Sequence, residues 1–456
     1  MLLVAASWGC GGDGGDGDGS PDTDVDAAPD SDADADSDED AGDPPVPEWE
    51  PGRLDSGFEV DGLAELYLIG NAATPESPVH VTVRAPEGTA RVEVWVDEAY
   101  AGALDQGDGA FVLSTFTPDL GPGEHYLVMA ADGAGRAFAA LPFTMTHPLY
   151  IVVTNDWDDA DNSEWSFGAQ EELHEWHPEL RLTHFVGPYT FTDPTVTEDR
   201  RDEIVEWLLR MRDDYTDEIG LHIHPYCSFV EAAGLACRTE HSFAYEDGDT
   251  TGYTIFLGEY DEEESVTLFE TASEIFVERG LGRPTSFRAG GWTTELHTLR
   301  AMARTGYVAD TSAVSWARLE EWEGVPGTEL FEWNREQWST IGDTSQPYYP
   351  SQDDILSSEP PTIPVLEVPD NGALVDYVVS AEMIDVFEAN WSGGALTEPR
   401  QVSIGYHPPN FNAGYQERIH NALTHFDQFL ASSGDGPVVY ATLSELVLVW
   451  PHEDGE

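Results

Sequence analysis

From Leu149 to the C-terminus, short apolar runs alternate with stretches of helical periodicity. The runs at 149–154, 181–186, 217–222, 284–288, 307–311, 363–368, 402–406 and 437–441 predict strands. Between most of them, 168–176, 198–213, 262–279, 293–304, 380–390 and 412–432 predict helices. In the helix at 262–279, Val266, Phe269, Ala272, Ser273 and Phe276 fall on one face. Strand and helix in alternation predict a parallel sheet with covering helices, open or closed into a barrel, over 148–456. Residues 58–147 carry a different pattern: Val79–Arg84, Arg91–Val96, Ala110–Leu113 and His125–Met129 alternate or run apolar, with Gly-, Pro- and Asp-rich turns between them. No helical period intervenes, so 51–147 predicts an all-β sandwich of immunoglobulin-like architecture. It reads as a spacer, with carbohydrate binding through Trp95 or Tyr100 as the alternative. Residues 11–50 have almost no large apolar side chains and predict a disordered linker, because too little surface is available to offset the entropy of ordering it. The segment 313–362, with Trp316, Trp322, Trp333 and Trp338, predicts an insertion over the barrel mouth.

Charge narrows the choice of partners. The 456-residue chain has 88 acidic and 19 basic residues, for a formal net charge of -69, and every basic residue is arginine. The linker holds 16 of the acidic residues and none of the basic ones, so most of the charge belongs to the rest of the chain. Nucleic acid and anionic membrane surfaces are excluded as partners by repulsion. The acidity reads as adaptation to a salty environment, where screening relieves self-repulsion. A solubilising surface with GC-rich coding is the plainer alternative.

Three cysteines carry chemistry of their own. Cys10 follows the apolar stretch Leu2–Ala6 and precedes Gly11-Gly12, so 1–10 resembles the end of a bacterial lipoprotein signal peptide with Cys10 as the lipidated residue. The stretch lacks a charged n-region, which predicts a truncated start; an unprocessed, disordered N-terminus is the alternative. The expected location is therefore outside the cytoplasm, in the cell envelope, with membrane contact only through the lipid. No other stretch has the roughly 18 apolar residues of a membrane span. Cys227 and Cys237 are spaced to close a small loop and predict a disulfide in such a compartment. A metal-ligand role for Cys227 is the weaker alternative.

Two short patterns stand where apolar runs end: Asp156-Trp157-Asp158 and His222-Ile223-His224. Residues two apart on a strand share a face, so each pattern presents two polar groups in one direction. Two carboxylates and two imidazoles so placed suit a divalent metal with a general base beside it. Asp156, Asp158, His222, His224, Arg288, Asp310 and His407 all lie at or just after predicted strand ends. In barrels of this class chemistry gathers at that end of the sheet. Each has a plainer reading: an acidic loop, a core histidine, a helix-entry turn at Arg288, a capping role for Asp310.

The order of these motifs over 149 to about 450 resembles the polysaccharide deacetylase (NodB-homology, carbohydrate esterase 4) superfamily. The resemblance implies a distorted barrel of the (β/α)7 type and removal of acetyl groups from the N-acetylated sugars of a polysaccharide or oligosaccharide with one divalent metal, usually zinc. It implies Asp156 as base and Asp158 as metal ligand, with one residue inserted between them and Asp159 able to substitute. It implies His222 and His224 as further ligands, His241 or another residue being able to take the second place. Ser286–Trp292 resembles the family's Arg-x-Pro-x-Gly motif without the proline, so Arg288 would keep Asp156 ionised, and Asp310 would pair with that arginine. Ile404–Pro409 resembles the motif whose histidine is the general acid, which is His407 here. Trp292, Trp316 and Tyr406 would wall a sugar groove. Rival expectations are hydrolysis of another C–N bond or of an O-acetyl ester on the same scaffold, and a non-catalytic glycan-binding surface lipoprotein.

Overall fold

In the computed structural model, the described residues are 43–452 apart from 105, 108–109, 117–119 and 244–249. The acceptor of the expected lipid, Cys10, and most of the predicted linker lie outside them. Two antiparallel sheets build the first quarter of the described chain. One has six strands, with strand Leu66–Leu68 adding in parallel to Ala139–Thr146, and the other has four. Alternation along Val79–Arg84 buries Val79, Val81 and Val83 and leaves His80 and Arg84 exposed. The three valines pack with Phe111, Met129 and Phe143 between the sheets. Trp95 is 1% exposed and packs under Tyr100 and Tyr126, so it is core and unavailable to a glycan.

Strand Ala139–Thr146 leads through a two-residue turn into a parallel sheet of eight strands. In chain order these are β1 (Leu149–Asp156), β2 (Leu182–Val186), β3 (Glu218–Ile223), β4 (Ser286–Ala289), β5 (Ala309–Asp310), β6 (Leu366–Glu367), β7 (Arg400–Tyr406) and β8 (Val438–Tyr440). The spatial order is β6-β5-β4-β3-β2-β1-β7, and β8 adds to the first half of β1. Every residue of β1 is buried, as a parallel strand covered on both faces requires. The helices that cover the sheet have clear start signals. Asp261 and Glu264 form a capping box at Glu262–Glu278, whose Leu268, Phe269, Ala272 and Phe276 face inward. Thr197 caps Glu198–Tyr215, which buries Ile204, Trp207, Leu208 and Met211.

The sheet curls, and its gap lies between β6 and β7. The chain after β6 spans it: Gly372 N–H donates to Ser403 (2.8 Å), Val375 N–H to Gly405 (2.9 Å), and Gly405 N–H to Ala373 (3.0 Å). A Cβ on Gly372 would sit 2.4 Å from the Ser403 oxygen, so this approach needs glycine. The insertion at 313–362 contains a short turn of helix at Trp316–Trp322 and the helix Leu330–Gln337. Its Trp338 is fully buried in the main core. The sandwich and the sheet are joined by Tyr150, whose hydroxyl meets Asn71 and Thr74 at 2.8 Å. Among the described residues no helix is long and apolar enough to cross a membrane.

Candidate active site

The end of β1 is held from inside. Trp157 is fully buried beside Phe167 and Trp207; its indole N–H donates to Asn155 (2.9 Å) and its backbone N–H to Phe185 (3.0 Å). That anchor leaves the flanking carboxylates to opposite duties. Asp156 is 2% exposed and receives Nη1 of Arg288 at 3.1 and 3.3 Å. Asp158, beyond the strand end, stands among the imidazoles: its Oδ1 is 3.2 Å from His222 Nε2 and 3.4 Å from His224 Nε2.

Both histidines have fixed orientations. His222 Nδ1 donates to the Arg288 carbonyl at 2.9 Å and His224 Nδ1 to the Tyr253 carbonyl at 2.7 Å. Each Nε2 therefore faces Asp158 and is the ring atom placed to take a cation. His224 needs Gly290, where a Cβ would lie 2.4 Å from its Nδ1. One ligand atom each from Asp158, His222 and His224 fall within 4.8 Å of one another. One carboxylate oxygen and two imidazole nitrogens, with a cavity on the open side, fit a divalent cation of the zinc type. Burial alone pushes the Asp158 carboxyl up; the imidazoles of His407, His224 and His222 outweigh it and hold it well below the usual carboxylate range.

Arg288 is fully buried. Besides Asp156 it meets Thr154 Oγ1 (2.8 Å), the Thr311 carbonyl (3.0 Å) and Asp370 Oδ2 (3.3 Å). Burial opposes its charge, and the fields of Asp156 and Asp370 restore it. His407 follows β7. Its Nδ1 is 2.9 Å from Asp376 Oδ2 and its Nε2 3.7 Å from Asp158 Oδ2. Burial disfavours the imidazolium, yet Asp158 and Asp376 push its pKa up to about 10.

These groups open into one cavity of about 330 Å³, lined by Asp156, Asp158, His222, His224 and His407 and walled by Trp292, Trp322, Tyr377 and Tyr415 among others. Five of the seven polar residues singled out at strand ends thus line one cavity, Arg288 holds Asp156 from behind, and the seventh takes no part. The second carboxylate on Arg288 is Asp370, not Asp310. Asp310 turns away to lie beside Glu367 and to accept from Ser312 (2.8 Å), and burial raises both carboxyls above the usual range. Tyr406 does not reach the cavity either. It is fully buried, stacked on Phe411, with its hydroxyl donating to Gln170 (3.1 Å). Trp316 packs on Phe331 at the edge of the core, whereas Trp322 from the same insertion reaches the wall. Asp159 is outside the ligand cluster, and His241 lies on the surface facing Glu259 and Glu329. Cys227 and Cys237 are joined in a disulfide beside the histidine loop, which removes Cys227 as a ligand. Asp370, Asp376 and Tyr253 had no signal in the sequence: each lies in a loop without periodicity, and an aspartate in so acidic a chain does not stand out.

The class is then an α/β protein with a curled parallel sheet and a carboxylate–imidazole cluster at the strand ends. No family model and no curated protein matches the sequence. Solved structures with a similar fold include the Xyl-CE4 domain of a multidomain xylanase from the hindgut metagenome of Trinervitermes trinervoides, at 10% identity over 66% of this chain and 90% of that one, with a TM-score of 0.33. Peptidoglycan deacetylase PdaC from Bacillus subtilis aligns at 12% identity over 66% of this chain and 92% of its own, TM-score 0.31. A family 4 carbohydrate esterase from Streptomyces lividans, solved with acetate, aligns at 12% identity over 65% and 93%, TM-score 0.30.

Proposed function

We propose that the protein is a metal-dependent hydrolase that removes acetyl groups from N-acetylated sugars of a glycan. The observation that carries this reading is the meeting, in one cavity, of the Asp158–His222–His224 cluster, the Arg288-held Asp156 and His407. Asp158, His222 and His224 would hold the ion, which when bound supplies Lewis acidity at an acetyl carbonyl. Asp156, oriented by Arg288, takes a proton from the attacking water. His407, oriented by Asp376, delivers a proton to the amide nitrogen as the C–N bond breaks. The aromatic walls suit the apolar face of a pyranose ring. The balance is one water consumed, one acetate and one amine released.

The compartment we assign is extracytoplasmic, with Cys10 as lipid anchor, the acidic linker as tether and an immunoglobulin-like sandwich as spacer. The disulfide supports this, since such bonds persist in oxidising surroundings.

Acetate release from N-acetylglucosamine oligomers tests the reaction. Asp156→Asn and His407→Ala, folded and metal-loaded, are expected to lose at least about 100-fold in kcat. Full activity in both variants would overturn the assignment. Release from O-acetylated sugars alone would move it to ester hydrolysis.

A further inference from the structure

Asp158 differs from the other two members of the cluster in how it is held. His222 is the penultimate residue of β3 and His224 the first residue after it, and both rings are tied through Nδ1 to backbone carbonyls. Asp158 lies two residues past the end of β1, on irregular backbone. Its carboxylate therefore needs a partner from elsewhere, and the structure supplies one. The Tyr253 hydroxyl donates to Asp158 Oδ2 at 2.8 Å, leaving Oδ1 to face the two imidazoles. The same residue carries the carbonyl that fixes His224, and its ring lies on the His224 imidazole with centroids 4.3 Å apart. One residue thus holds two of the three clustered side chains, through three different groups.

The backbone delivers Tyr253 to this spot. The Cys227 N–H donates to the Thr251 carbonyl at 2.7 Å, which lays the segment before Tyr253 against the turn after His224. Gly252 permits the contact: its φ is +83°, and a Cβ there would sit 2.3 Å from the Pro225 oxygen. The Cys227–Cys237 disulfide closes the loop on the other side of that turn.

We propose that Tyr253 is a positioning residue for the metal site, acting on Asp158 and His224 rather than on the substrate. The proposal rests on the reading that Asp158, His222 and His224 hold a divalent cation. Its hydroxyl occupies Asp158 Oδ2 and leaves Oδ1 toward the imidazoles, where a cation would be held, and outer partners of this kind raise metal affinity about 10- to 100-fold.

The test is Tyr253→Phe, which deletes only the hydroxyl and keeps the carbonyl and the stacked ring. Metal-stripped full-length protein is titrated with Zn2+ against a chromophoric chelator, and the Co2+ form is recorded by visible absorption. The expected result is about 10- to 100-fold weaker Zn2+ binding with an altered Co2+ spectrum, while the metal-free protein still unfolds in one cooperative transition. Equal affinity and an identical spectrum would overturn the positioning role. If the wild type itself binds no Zn2+, the metal reading fails, and this proposal with it. Tyr253→Ala, which also removes the stack on His224, is expected to bind more weakly than Tyr253→Phe; the reverse order would count against the geometry.

Discussion

Arg288 is the residue on which the site turns. A buried guanidinium is costly unless its charge is matched and its donors are used. Here Asp156, Asp370, Thr154 and Thr311 do both. Asp370 has a second tie, accepting the Trp292 indole N–H at 3.0 Å, so it links the arginine to the cavity wall. Removing it in Asp370→Ala leaves Arg288 under-compensated, and chemical denaturation should show a loss of about 3–5 kcal/mol. A loss under about 1 kcal/mol, within the range of ordinary surface substitutions, would mean that Asp156 alone balances the charge. At this scale the sequence was readable where chemistry coincided with periodicity. Asp156, His222 and Arg288 end apolar runs, so their direction followed from the strand. Asp370, Asp376 and Tyr253 act from loops, and tertiary folding alone brings them in. Tyr406 misled for the opposite reason: its place on β7 is regular, but its side chain points to the core.

At the scale of elements, the strand ends do more than present ligands. The ends of β5 and β6 place Asp310 and Glu367 side by side, fully buried, with Asp310 Oδ2 and Glu367 Oε2 lacking hydrogen-bond partners. Burial pushes the Asp310 carboxyl to about 6, and burial together with Asp310 holds Glu367 well above the usual range. Both folded-state values exceed the unfolded ones, so the pair's stability contribution is complete below about pH 4 and is lost as pH rises through 6 and beyond. Glu367→Gln, which copies the protonated acid and keeps the acceptor for the Ala313 N–H, should flatten the fall in unfolding free energy between pH 4 and 8 relative to wild type. Parallel pH profiles would show that this pair is not the source of the fall. The elements themselves were legible because parallel strands are apolar runs: β1, β2, β3 and β7 match their predicted runs to within two residues. The predicted helix at 412–432 ends instead at Phe426 and continues as short turns of tighter helix, and the two small helices of the Trp-rich insertion went unpredicted. There glutamates and tryptophans mix without a clear period, and packing decides.

Over the whole molecule, the net charge of -69 opposes compaction. Many arginines meet more than one carboxylate, as Arg200 does with Asp161, Glu164 and Glu203, yet the acids far outnumber them. Raising NaCl from about 0.1 to 1 M shortens the screening length from about 10 to 3 Å and should raise the melting temperature. A flat or falling curve would show that the acidic surface is no adaptation to salt. The charge also bears on the site, whose lining includes Asp156, Asp158, Asp376 and Glu321. Four carboxylates and three imidazoles in one lining suit a cation held among them. Metal content measures that directly. Elemental analysis of the purified full-length protein should find about one divalent ion per chain, lost in a folded His222→Ala variant. A well-folded wild type that retains no ion, and takes up none when zinc is supplied, would contradict the account.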